Sequence, residues 1–301
     1  MKKKPWLAYA LVTTFFWGLW GALIEIPEKA GFPATLGYSV WALTMFIPAY
    51  VVLKKINWEI EFDKRSIILG SIIGFTGAGG QLVLFQALRT GPAYLVFPFI
   101  SLSPVITIAL SILFLKERAT KRGWLGIAAA LIALPLLSYQ PGNDANSSGS
   151  LWILLALIVF LAWGIQAYVM KFANKTMKGE SIFFYMTLTG FLLIPFAVLM
   201  TDFSQPVNWS WEGPWLTAVI QLLNAIGALT LVFAFRYGKA IIVSPLVNAV
   251  APIITVAISL VIYQVLPSAI TSAGIFLAIF AAYLLAIEGE TENEKEEVTV
   301  Q

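Results

Sequence analysis

Residues 85–107, FQALRTGPAYLVFPFISLSPVIT, and residues 232–255, VFAFRYGKAIIVSPLVNAVAPIIT, are two copies of one pattern. Arg89, Gly91, Ala93, Val96 and Pro98 coincide with Arg236, Gly238, Ala240, Val243 and Pro245 at an offset of 147 residues. One extra residue then moves the offset to 148, where Pro104, Thr107 and Ser111 meet Pro252, Thr255 and Ser259. Further out, Gly126 and Ala130 meet Gly274 and Ala278, and Trp17-Gly18 matches Trp163-Gly164. Self-similarity over half a chain predicts two versions of one folding unit.

The solvent for that unit follows from composition. The 301 residues are 59% hydrophobic and 12% charged, about half the charged share of a soluble domain. Lipid accommodates apolar surface that one core cannot bury. A membrane-crossing helix needs about 20 apolar residues, and polar punctuation divides the chain into ten such spans. In the first half they are α1 (5–26), α2 (36–53), α3 (66–88), α4 (92–115) and α5 (123–138). In the second they are α6 (150–169), α7 (182–200), α8 (214–235), α9 (240–263) and α10 (270–287). The expected organisation is a five-helix repeat at 1–139, a Gly/Asn/Ser-rich linker at 140–149 and a second repeat at 150–287. An acidic tail at 288–301 is expected to be solvated and disordered. Lys2-Lys3-Lys4 before an apolar run imitates a signal peptide, but the run is too long and lacks a cleavage site, so it reads as a retained first span.

Seventeen of the nineteen Lys and Arg residues fall on one set of alternate connectors; only Lys29 and Arg89 lie on the other. The positive-inside rule then puts both termini in the cytoplasm and implies an even number of spans. Five spans per half is odd, so the halves must be inserted upside down relative to each other. The predicted fold class is an all-α, polytopic membrane protein of ten transmembrane helices in two inverted five-helix repeats.

Paired proline-interrupted helices in corresponding positions of inverted repeats point to a midplane binding site. Pro98 and Pro104 in α4 and Pro245 and Pro252 in α9 form such a set, and both helices are expected to be broken there, since an internal proline removes a backbone hydrogen bond. A simple bend is the alternative reading of any single proline.

The ordered set of Trp-Gly, Ala-Leu-Arg-Thr-Gly-Pro-Ala (87–93), Pro-Val-Ile-Thr (104–107), Leu-Lys-Glu-Arg-Ala-Thr (115–120) and a Gly-x2-Gly helix resembles the EamA-like branch of the drug/metabolite transporter superfamily. That resemblance implies a carrier with a central cavity lined mainly by α1, α3, α4, α6, α8 and α9. It implies a substrate that is an amino acid, another metabolite or a drug, usually moved outward. It also assigns a gate role to Glu117 at the cytoplasmic end of α4, whose counterpart in α9 is Val265. The first-helix glutamate that small dimeric relatives use for proton coupling is replaced here by Thr13 and Thr14.

Charges in membrane helices mark function because they are costly there, and the central thirds of all ten spans are free of them. Glu25, Arg89, Glu117 and Arg236 lie at helix ends as candidate gate or coupling charges; snorkelling or helix capping is the alternative for the arginines. The candidate substrate-binding residues are therefore uncharged: Trp17, Trp20, Gln81, Ser101, Trp163, Gln166, Asn224 and Asn248. Interhelical packing glue, worth about 0.6 kcal/mol per hydrogen bond, is the competing explanation for each amide. Trp6, Trp124, Trp209, Trp211 and Trp215 read as interfacial anchors. Without histidine or cysteine there is no metal-hydrolase or Ser-His chemistry, and no enzyme, cofactor or metal is expected. The expected function is secondary transport of a small neutral or zwitterionic solute, moved outward as the resemblance implies; an uncoupled channel or scramblase is the alternative. The expected partners are that solute and membrane lipid, with no nucleic acid. The expected assembly is a monomer or weak homodimer in the cell inner membrane.

Overall fold

The structure is a computed structural model that describes residues 5–91, 93–137, 151–263 and 268–298. The expected linker at 140–149, Val265 and the first three lysines lie outside the described residues, as does the side chain of Pro98. Among the described residues every regular element is helical. Eight helices are long and apolar enough to cross a membrane, joined by the shorter apolar helix Phe99–Leu115. With α5 (Lys121–Leu137) this is a ten-helix, multi-pass membrane architecture.

The observed helices are α1 (Pro5–Leu23), α2 (Ala34–Lys55), α3 (Lys64–Thr90), α5, α6 (Leu151–Ala173), α7 (Gly179–Leu199), α8 (Trp211–Tyr237), α9 (Ala240–Tyr263) and α10 (Ala269–Val298). The fourth, α4, is assembled from Ala93–Ser101, Pro104–Leu110 and a π-helical turn at Ser111–Leu115. Packing pairs exchange when the halves are swapped. α1 packs on α8 and α9 as α6 packs on α3 and α4; α2 meets α8 as α7 meets α3; α5 lies against α10. The last pair closes over small residues, with Gly126 against Leu284 and Leu285 and Gly274 against Leu136.

Three expectations are corrected. First, α4 breaks at Leu102–Ser103, but α9 runs without interruption through Pro245 and Pro252. At about 100° per residue, prolines seven apart lie on nearly the same face, and each removes one backbone hydrogen bond without ending the helix. Prolines six apart, as Pro98 and Pro104 are, point in different directions, and the chain takes a tight turn, with Ser103 N–H bonded to Ile100 O at 3.0 Å. Pro104 then opens the next segment, where its missing N–H costs nothing. Second, α10 continues to Val298, so residues 288–298 are helical where a disordered tail was expected. Glu and Lys are good helix formers that extend an existing helix without needing a new nucleus. Third, Trp6 is buried, 5% exposed, and packs on Gly238 instead of facing the interface. Its repeat counterpart Trp152 sits on Gly91 in the same way. Trp124, Trp209, Trp211 and Trp215 are exposed, as an interfacial position requires.

Candidate functional site

The Trp-Gly repeat positions the site. A side chain at Gly18 would collide with Ile254 of α9, and one at Gly164 with Ile106 of α4. Glycine alone therefore allows α1 and α6 to cross these helices closely. The crossings are fastened identically: Thr255 Oγ1 donates to Gly18 O at 3.1 Å and Thr107 Oγ1 to Gly164 O at 3.0 Å. The adjoining tryptophans are aimed the same way in both halves. Trp17 Nε1 donates to Asn224 O and Trp163 Nε1 to Gly77 O, each at 3.3 Å, with the indoles seated on Gly227 and Gly80.

Between these crossings lies a cavity of about 320 Å³. Its walls include Trp17, Trp20, Gln81, Trp163, Gln166, Asn224 and Asn248 from the sequence-derived set, together with Trp41, Gly77, Ser103, Met186, Phe235 and Ser244. Ser101 is not part of this wall; the turn at Leu102–Ser103 brings Ser103 there instead. The cavity thus draws on α2 and α7 as well as the six helices expected. Ser103 and Trp41 are readable from sequence as a polar residue and a tryptophan inside apolar spans, whereas Gly77, Met186, Phe235 and Ser244 carry little signal, since such residues in an apolar helix look like packing. Among the described residues no ionisable side chain lines the cavity.

Half of its polar groups are tied to protein. Trp20 Nε1 donates to Gln221 Oε1 at 3.0 Å, Asn224 Nδ2 to the same oxygen at 3.4 Å, and Asn248 Nδ2 to Ser244 O at 2.9 Å. Trp41 Nε1 is buried with no hydrogen-bond partner among the described residues. α3 carries a π-helical turn at Phe75–Gly79 where it meets the cavity, a distortion that recurs at functional sites. The thirteenth residue gives no proton site: Thr13 Oγ1 shares a 2.8 Å hydrogen bond with Thr230 Oγ1 of α8.

The four candidate charges stand outside the cavity. Arg89 Nη2 donates to Met200 O at 2.6 Å and Arg236 Nη1 to Met177 O at 3.3 Å, so both fasten helix ends. Glu25 is exposed and paired with Lys29 at 2.6 Å. Glu117 caps α9 from the other half, accepting from Ile241 N–H at 3.1 Å. Two residues outside the candidate set belong with it. Lys171 Nζ donates to Phe235 O at 3.0 Å and to Gly238 O at 2.6 Å, closing the C-terminus of α8. The Glu61 carboxylate accepts from Lys178 N–H at 3.0 Å, Glu61 N–H donates to Ser181 Oγ at 3.3 Å, and Tyr185 Oη donates to Glu61 O at 2.7 Å. Together these contacts form a helix cap for α7 supplied by the opposite half of the chain.

A membrane bundle of two exchangeable halves around an uncharged central cavity has the form of a solute carrier. The chain belongs to the EamA-like transporter family, whose model matches residues 4–139 and again 150–287. It is 24% identical to the uncharacterized transporter YojE of Bacillus subtilis, with 94% of this chain and 93% of YojE covered. It is 22% identical to protein LicB of Haemophilus influenzae over 65% of this chain and 69% of LicB. A shorter match, 29% identical over 27% of this chain and 73% of the relative, is to a probable 4-amino-4-deoxy-L-arabinose-phosphoundecaprenol flippase subunit ArnE of Hamiltonella defensa. One solved crystal structure shares the fold with a TM-score of 0.72 and 16% identity, covering 95% of this chain and 99% of that one. Members of this family are transporters, not enzymes.

Proposed function

We propose that the protein is a secondary transporter that moves a small neutral or zwitterionic solute, such as an amino acid or related metabolite, by alternating access. The observation that carries this reading is the cavity itself, walled by both halves and, among the described residues, lined by no ionisable side chain. A solute with net charge would be buried there without a counter-ion, which is strongly unfavourable. In the proposed cycle the halves rock about the paired Gly–Thr crossings, while the turn in α4 and the proline-containing stretch of α9 flex. The proposed direction is export, and the proposed location is the cell inner membrane with both termini in the cytoplasm, following the skewed Lys and Arg distribution. A monomer completes the cavity, so no oligomer is needed for this cycle.

The test is counterflow in proteoliposomes with labelled neutral amino acids and metabolites, with and without a pH gradient. Saturable exchange is expected. Flux that rises linearly with concentration would instead indicate a channel, and no exchange of any solute would overturn the proposal.

A further inference from the structure

Apart from the buried Trp41 N–H, the cavity's amides and indoles divide into two kinds, and the division tracks its walls. On the α1/α8 side they are engaged: Trp17 N–H, Trp20 N–H and the Asn224 amide all hydrogen-bond within the protein, and Gln221 serves two of them. Asn248 is likewise held by Ser244 O. On the α3/α6 side, Gln81 and Gln166 are half-buried, line the cavity and have no side-chain hydrogen-bond partner among the described residues. Gln166 rests in the hollow left by Gly77, and Gln81 stands four residues beyond that glycine on α3. Their counterparts under the repeat are Trp20, an engaged indole, and Ala228, a methyl group. Among the described residues, cavity amides with no side-chain hydrogen bond thus lie on one of the two related walls.

We infer that Gln81 and Gln166 are the specificity-determining residues of the cavity, reading the hydroxyl, amide or zwitterionic end of a net-neutral solute. This rests on the transport reading above. A primary amide offers two donors and an acceptor, and leaving it half-buried and unpaired is unfavourable unless a ligand completes it. Trp17 and Trp163 have used their N–H groups and leave ring surface for the solute's apolar body. Asn224, Gln221 and Asn248 are wall-shaping residues. Ser103 and Ser244 also reach the cavity, but at 7% and 3% exposure they offer little surface to a ligand.

Two measurements on the full-length protein test this. In the first, Q81L, Q166L and Q221L are compared by melting temperature without solute. Replacing an unpaired amide by an apolar group of similar shape is expected to leave melting unchanged or raise it, whereas Q221L strands Trp20 N–H and the Asn224 amide and lowers it. Equal lowering in all three would overturn the inference, because it would mean that Gln81 and Gln166 are engaged like Gln221. In the second, proteoliposome counterflow uses two near-isosteric pairs, threonine against valine and asparagine against leucine. The wild type is expected to favour the polar member of each pair, and Q81L and Q166L to reduce that preference about tenfold, the loss of roughly one hydrogen bond. A wild-type protein that exchanges the pairs without preference, or variants that keep it, would overturn the inference. No exchange of any of the four counts against the transport reading itself, and the melting result separates the two failures.

Discussion

The two faces of the bundle close the cavity with different chemistry. On the face that gathers Lys and Arg, ionised side chains hold helix ends: Glu61 caps α7, Glu117 caps α9 and Lys171 closes α8. On the opposite face the corresponding work falls mainly to neutral groups. Thr35 and Thr201 share a buried 2.7 Å hydrogen bond, Tyr38 Oη donates to Gly190 O at 3.2 Å, and Asn208 Nδ2 donates to Ala30 O at 2.9 Å. Arg89 is the single charged fastener among these contacts. The comparison is sharpest at repeat-related positions. The Glu61 loop and the Asn208 loop both tie to the chain leading into α7 and α2, one with a carboxylate and one with an amide. Lys171 corresponds to Glu25, which cannot donate to a helix C-terminus and turns to Lys29 instead. Charge-assisted hydrogen bonds are about twice as strong as neutral ones, so the fastenings on the basic face are expected to contribute more to stability and to be more sensitive to charge removal.

The largest effect is expected from K171A, which leaves the Phe235 and Gly238 carbonyls without their charged donor and is worth about 2–3 kcal/mol. Chemical or thermal unfolding in detergent measures it; a loss below that of the neutral variants on the other face would break the comparison. E61A follows, at about 2 kcal/mol, because the capped N–H of Lys178 loses a charged acceptor. E61Q should recover part of this loss, and full recovery would show that charge is not what matters at this cap. T35V, on the opposite face, should cost about 1 kcal/mol by the same assay. The smallest effect concerns Asp63, the exposed N-cap of α3, which accepts from Ser66 Oγ and from the Arg65 and Ser66 N–H groups. The Ser66 side chain leads in holding this carboxyl below the usual range. A depressed carboxyl stabilises the fold above its unfolded value near pH 4 and loses that contribution as the pH falls through its lower folded value. D63N should therefore flatten the acid limb of the melting profile slightly, and an unchanged limb would count against the cap.

Much of the site was legible because its residues occupy repeated positions. Gly91/Gly238 and Thr107/Thr255 each recur with the same partner geometry, whereas Arg89 and Arg236 recur as residues but hold different carbonyls. Seven of the eight uncharged candidates reach the cavity wall, since amides and tryptophans in the interior of apolar helices have few other places to be. Ser101 misses it because a proline turn changes which side of α4 faces inward, and helical periodicity does not carry across such a turn. Trp6 departs from the interfacial expectation for a related reason: an end-of-span tryptophan fits the lipid interface unless a distant glycine, here Gly238, opens a place for it. Lys171 and Glu61 were not among the candidates because charges near helix ends are common, and only the facing helix terminus distinguishes a clasp from a solvated side chain.

By itself the sequence determined the solvent, the span count and the duplication. Hydropathy, charge sorting and internal similarity depend on local composition and register, and all of these are written along the chain. Only the tertiary structure decided which amides face each other and which stay open. Gln221 accepts from an indole 201 residues away and Gln166 rests against a glycine 89 residues away, and no local pattern distinguishes these two glutamines. Hydrogen bonding is short-ranged and directional, so its outcome waits on how the helices pack. The two faces differ for the same reason: related sequences place a lysine and a glutamate at one repeat position, and the helix end that meets each one determines what it can hold.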